Sequence, residues 1–165
     1  MPGEACYASG MTREDFAALV APFAQAARGA TLNAELGQTL GARFPVDGPE
    51  WTDLRRGIDE GVTAGLLLKH EAGGIRFGRA LRPSEELFDF SVDVVEMHDV
   101  AGPHHRHPRG EIDLVLPIDE GARFDGQGEG FVVYGPDSAH RPTVTGGGAY
   151  VLYLLPGGEI EFTKA

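Results

Sequence analysis

The chain has 165 residues and sets 14 Lys and Arg against 25 Asp and Glu, for a formal net charge of −11. That length gives one domain with a core large enough to need no staples, and the acidic balance excludes a nucleic-acid surface, which needs clustered Lys and Arg. The single cysteine, Cys6, cannot form an internal disulfide, no N-terminal run reads as a signal peptide, and no segment approaches the roughly 20 apolar residues of a membrane span, so a cytoplasmic protein is expected.

Up to about residue 65 the apolar residues recur at helical spacing. Phe16, Leu19, Val20 and Phe23 share one face, Leu32, Leu36 and Leu40 a second, and Trp51, Leu54, Ile58 and Val62 a third, which predicts three short helices. Thr12 with Asp15 reads as a capping-box variant, Thr31 as the cap of the second helix, and Pro49 as the start of the third. Pro22 is expected to weaken or bend the first helix.

From Leu66 onward the period becomes two. Phe88, Phe90, Val92 and Val94 alternate with Asp89, Ser91 and Asp93, and similar runs cover residues 111–116, 131–134 and 149–155. Glycines at 73–74, 126, 128, 130, 146–148 and 157–158 are expected to form the turns between them. The fold class is therefore α+β, mainly β, with an N-terminal helical region over 1–65 packed on or beside a C-terminal antiparallel barrel or sandwich over 66–165.

The most informative stretch is Gly102-Pro103-His104-His105-Arg106-His107-Pro108-Arg109-Gly110-Glu111. Residues two apart in an extended segment point the same way, so His105 and His107 leave one face together. A turn through Pro108, Arg109 and Gly110 then lets Glu111 swing toward the same point, and His140 closes the set from another strand. Imidazoles plus one carboxylate suit a divalent transition metal such as Zn, Fe or Mn better than Mg or Ca, which prefer all-oxygen shells.

Around this set, Asp113 lies two residues beyond Glu111 and is either a carboxyl near the metal or a solvated strand residue. Tyr150 and Tyr153 have opposite facings, so at most one looks into the barrel, as a hydrogen-bond donor to a ligand or as packing. Arg76, Arg79 and Arg82, with Arg106 and Arg109 beside the ligand stretch, are candidates to clamp a carboxylate or simply offset nearby acids.

The spacing His105-x-His107-x3-Glu111, followed by a strand, a Gly-rich turn and His140, resembles the two metal-binding motifs of the cupin superfamily, which implies a double-stranded barrel with a metal in its mouth and, commonly, a homodimer. The second motif departs from the usual order, because Gly135 precedes Pro136. A closer resemblance accounts for that departure. Phe90-Ser91-Val92-Asp93-Val94-Val95, the 101–108 stretch, Gly110-Glu111-Ile112-Asp113-Leu114, Tyr134-Gly135-Pro136, Ser138-Ala139-His140-Arg141-Pro142-Thr143-Val144 and Val151-Leu152-Tyr153-Leu154-Leu155-Pro156 look like the bacterial 4-hydroxylaminobenzoate lyase family of nitrobenzoate catabolism.

That resemblance implies conversion of 4-hydroxylaminobenzoate and water to 3,4-dihydroxybenzoate (protocatechuate) and ammonia, a reaction that balances without an outside oxidant. It implies a small aromatic carboxylate as substrate, and each step asks for acid-base help or a Lewis acid. Spacing and chemistry then assign His105, His107, Glu111 and His140 to the metal, Asp113 or Tyr153 to proton transfer, and Arg76 or Arg79, with Arg109 as a further candidate, to the ring carboxylate. Two alternatives stay open: an iron-dependent cupin dioxygenase acting on an aromatic or thiol substrate, and a non-enzymatic cupin that binds a small molecule.

Overall fold

The structure, a computed structural model, describes residues 10–164; Cys6 lies outside them. Among these residues three helices, α1 (Arg13–Ala27), α2 (Ala34–Arg43) and α3 (Pro49–Thr63), precede ten strands. Thr12 caps α1 through a complete capping box: its hydroxyl accepts from Asp15 N at 3.0 Å while its own N–H donates to the Asp15 carboxylate at 3.1 Å. Pro49 starts α3 as expected. The cap of α2 is Asn33, whose Oδ1 accepts from Leu36 N at 2.9 Å, so Thr31 does not play that part. Pro22 does not end α1, because buried Phe16 and Val20 before it and Phe23, Ala24 and Ala27 after it hold both halves on one core.

The strands are β1 (His70–Ala72), β2 (Ile75–Leu81), β3 (Phe90–Ala101), β4 (His105–His107), β5 (Glu111–Pro117), β6 (Arg123–Phe124), β7 (Gly130–Tyr134), β8 (Ser138–His140), β9 (Thr143–Pro156) and β10 (Glu161–Phe162). They form two antiparallel sheets, one ordered β1-β2-β3-β9-β5-β7 with β6 on the end of β9, the other ordered β10-β4-β8. No hydrogen-bonded ladder joins the two among the described residues, so the expected barrel is an arrangement of two facing sheets rather than a closed ring. The α+β, mainly β class holds.

Two details differ from the sequence reading. Phe88 is not in a strand: with Asp89 it turns through positive φ, 53° and 69°, and β3 begins at Phe90. Gly146 and Gly147 do not end a strand either. They take φ of 79° and 122° inside β9, where the register with β3 shifts between His98 and Val100, so the glycines make a bulge in one long strand.

Alternation along the central strands divides the molecule. Val92 and Val94 of β3, Ile112, Leu114 and Leu116 of β5, and Leu152 and Leu154 of β9 pack against the helices in one core, which the helical and strand regions share. Val95 and Met97, Val115, and Val151, Tyr153 and Leu155 point to the other side and form a second core with Phe124 and Val144. Phe23, Phe44, Trp51 and Phe131 tie the helices to β7, with ring centroids 4.8 Å apart for Phe23–Phe44 and 5.3 Å for Trp51–Phe131.

Trp51 is fully buried and its Nε1 donates to Phe44 O at 2.7 Å. Trp51→Phe removes that donor and leaves a buried carbonyl unpaired. Urea denaturation should register a loss of about 1–3 kcal/mol.

Candidate metal centre and adjoining cavity

The four metal-ligand candidates converge because both sheets aim side chains at one point. In the small sheet His105 lies directly opposite His140, and His107 opposite Ser138. Cross-strand partners share a face, so His105, His107 and His140 emerge together while Arg106, between the two histidines, turns outward to Glu161 and Asp137. Gly110 makes the turn into β5 with φ of 92°, and a Cβ there would come within 2.8 Å of both Tyr134 O and the Leu32 side chain. Glu111 follows immediately and reaches the histidines from the large sheet. One donor atom from each of His105, His107, Glu111 and His140 falls within 4.8 Å of all the others.

Hydrogen bonds fix which imidazole nitrogen faces this point. His105 Nδ1 lies 3.3 Å from the carbonyl of Pro103, which can only accept, so its hydrogen sits on Nδ1. Ser138 gives its own hydroxyl hydrogen to Gly135 O at 2.6 Å, and its oxygen therefore accepts from His107 Nδ1 at 2.9 Å. Both Nε2 atoms are left as lone pairs. The Nε2 atoms of His105 and His140 are 3.2 Å apart, and His107 Nε2 is 3.2 Å from a Glu111 carboxylate oxygen. His107 Nε2 and both Glu111 oxygens are buried without a hydrogen-bond partner among the described residues. A buried concentration of lone pairs and negative charge is unfavourable unless a cation fills it. The 3.2 Å nitrogen separation also matches two ligands each about 2.1 Å from one ion. The residues therefore fit a divalent transition metal.

Asp113 lies on the same face of β5 as Glu111, fully buried, with neither carboxyl oxygen paired among the described residues. Burial and the neighbouring Glu111 charge push its pKa well above the ordinary carboxyl range. Burial disfavours the Glu111 charge as well, but the neighbouring Asp113 carboxyl favours it, so of the two Glu111 is the more acidic. Within this pair the charge is favoured on Glu111 and the proton on Asp113. Tyr153 is directly opposite Asp113 across β5 and β9, and opposite Asp93 across β3 and β9. Burial raises its phenol well above the normal range, so it stays a donor. Tyr150 faces the helices.

A cavity of about 380 Å³ opens beside the cluster, a volume normal for a small-molecule site. His105 and Tyr153 stand in its wall with Ile75, Phe77, Val95, Met97 and Phe162, and Arg79 and Asp93 supply charge. Arg79 is held by Asp93 through Nε at 2.8 Å and Nη2 at 3.3 Å, and Nη2 also donates to Gly158 O at 3.1 Å. The other two arginines are elsewhere. Arg76 alternates with Ile75 and Phe77 and so leaves the opposite face of β2, where it pairs with Glu96 at 2.8 Å. Arg109 sits half exposed on a turn, 3.6 Å from both Asp89 and Glu159.

Residues 18–162 match the family model described as PnbB: 4-hydroxylaminobenzoate lyase. The chain belongs to the 4-hydroxylaminobenzoate lyase family. A 4-hydroxylaminobenzoate lyase of Pseudomonas putida is 29% identical over 167 residues, covering 91% of this chain and 95% of its own. Another from Nocardioides sp. (strain LMS-CY) is 37% identical over 114 residues, 64% of this chain and 68% of its own. Among solved structures, an RmlC-like cupin protein from Ralstonia eutropha aligns with a TM-score of 0.44 at 11% identity, over 60% of this chain and 66% of that one.

The sequence reading quoted Tyr134 and Ser138 only as motif residues and gave neither them nor Asp125 a role at the site. Asp125 stands in Phe124-Asp125-Gly126, which reads as a plain turn, yet its carboxylate lies 2.6 Å from His140 Nδ1. Tyr134 stacks on His107, with ring centroids 5.5 Å apart and 23° between planes. Only the fold brings these groups to the histidines.

Zinc-loaded, dialysed protein should carry near one ion per chain by elemental analysis. Glu111→Gln and His107→Ala should each bring that content close to background, because each removes or weakens one of the four ligand-type groups that meet at this point.

Proposed function

We propose that this protein converts 4-hydroxylaminobenzoate and water into 3,4-dihydroxybenzoate and ammonia. The observation that carries the reading is that His105 belongs both to the four-residue cluster and to the wall of an apolar cavity, in a chain that matches this lyase family over residues 18–162. The atoms balance with water alone: the nitrogen loses its hydroxyl, water adds to the neighbouring ring carbon, and the resulting imine is hydrolysed.

His105, His107, Glu111 and His140 would hold the metal, for which Zn, Fe and Mn all suit the donor set, and which when bound supplies a Lewis acid. The remaining roles fall to the chain's own groups. Ile75, Phe77, Val95, Met97 and Phe162 enclose an aromatic ring and exclude bulk water. Arg79 is the arginine we assign to the ring carboxylate. Its Nε and Nη2 are committed to Asp93 and Gly158, which leaves Nη1 as a pre-oriented donor. Tyr153 donates a hydrogen bond to the departing hydroxyl oxygen from the cavity wall, and Asp113, its cross-strand neighbour, is the carboxyl with which that proton is exchanged.

Anaerobic incubation of the metal-loaded protein with 4-hydroxylaminobenzoate should release ammonia and 3,4-dihydroxybenzoate in equal amounts. Turnover that needs air and consumes dioxygen would instead assign a dioxygenase, and saturable binding without product a binding protein. Arg79→Met should raise KM for 4-hydroxylaminobenzoate about ten- to a hundredfold, the value of a charged hydrogen bond. For phenylhydroxylamine, which lacks the carboxylate, KM should barely move.

A further inference from the structure

We propose that Asp125 is a positioning residue that holds the His140 hydrogen on Nδ1 and so keeps His140 Nε2 open as a ligand atom. The inference rests on the four-residue cluster and not on the reaction assigned to it.

Asp125 follows β6 in a turn with φ of 51°, a conformation Asp tolerates better than most residues. Two hydrogen bonds lock that turn to the start of β9. Asp125 N donates to Thr143 O at 2.8 Å, and Thr143 N donates back to Asp125 Oδ1 at 2.9 Å. A backbone N–H cannot reverse its role, so Oδ1 is committed and the carboxylate plane is set. Oδ2 then faces His140 Nδ1 at 2.6 Å and the Tyr134 hydroxyl at 2.5 Å. An ionised carboxylate only accepts, so both groups donate to it. His140 consequently turns a lone pair on Nε2 toward His105 Nε2, 3.2 Å away, and Glu111 Oε1, 3.8 Å away.

The other two histidines are oriented by neutral groups, a backbone carbonyl and a serine hydroxyl. His140 alone is backed by a charge, and it is also the least buried of the three. A carboxylate behind a ligating imidazole fixes the ring and raises its basicity. Asp125 thus compensates for the weaker enclosure of the third histidine.

Asp125→Asn separates this role from simple packing, because the amide has nearly the same shape. Thr143 N–H still demands the side-chain oxygen, which turns the NH2 group toward His140. Nδ1 must then accept, and the ring hydrogen moves to Nε2. In the metal-free protein at about pH 8, above the ordinary imidazole pKa, nitrogen–proton correlation spectra should show the Nδ1–H form of His140 in the wild type and the Nε2–H form in Asp125→Asn. Zinc affinity, measured by competition with a chromogenic chelator, should fall about 10- to 100-fold in the variant. An Nε2–H form of His140 in the wild type overturns the proposal without any variant. So does an unchanged tautomer in Asp125→Asn, or a zinc Kd within about twofold of the wild type.

Discussion

Three imidazole nitrogens and the Glu111 carboxylate meet at one point where His105, His107 and Glu111 are buried and, among the described residues, no donor pairs with the Glu111 oxygens. Removing a carboxylate from water costs several kcal/mol unless something positive replaces the lost hydration, and here the nearest atoms include lone pairs of His105 and His107. Every group behind these residues is arranged to keep it so: the Pro103 carbonyl, the Ser138 hydroxyl and the Asp125 carboxylate each take an Nδ1 hydrogen and turn a basic atom inward. Such an arrangement is costly as a core and well formed as a cation site. It explains why polar groups occupy positions where the rest of the interior is aliphatic, beside an otherwise greasy cavity.

The strands make this possible by sorting residues with a period of two. Glu111 and Asp113 alternate with Ile112 and Leu114, and Tyr153 alternates with Leu152 and Leu154, so one ladder of backbone bonds serves the helix-covered core on one side and the candidate site on the other. The helices cover the apolar side. Their contribution to the site is indirect: they cover the hydrophobic face of the large sheet while the small sheet, with strands of only two and three residues, brings its histidines over the opposite face.

Much of the site was legible in the sequence because its information is short-ranged. His105, His107 and Glu111 fall within seven residues, and extended geometry alone predicts that the two histidines share a face. What could not be read depends on pairings between distant strands. Arg76 and Arg79 are equivalent as sequence, but one residue of parity sends Arg79 to the cavity and Arg76 to Glu96 on the far side. Asp125 gains its partner only when β6 and β8 are brought together by β9. The glycines at 146–148 carry the same signal whether they end a strand or bulge within it, and the pairing of β3 with β9 decides in favour of the bulge. Thr31 and Asn33 both qualify as caps, and where the first helical turn begins selects Asn33.

The shared strand has a consequence for the fidelity of folding. If β5 slipped by one residue against β9, Glu111 and Asp113 would enter the layer packed on the helices while Ile112 and Leu114 would face the histidines. Two carboxyls would then lie among Leu36, Leu54 and Leu152, and the apolar layer would lose its centre. A chain with its site misassembled is therefore also a chain without a viable core, and quality control that senses exposed hydrophobic surface will remove inactive registers without needing to sense activity.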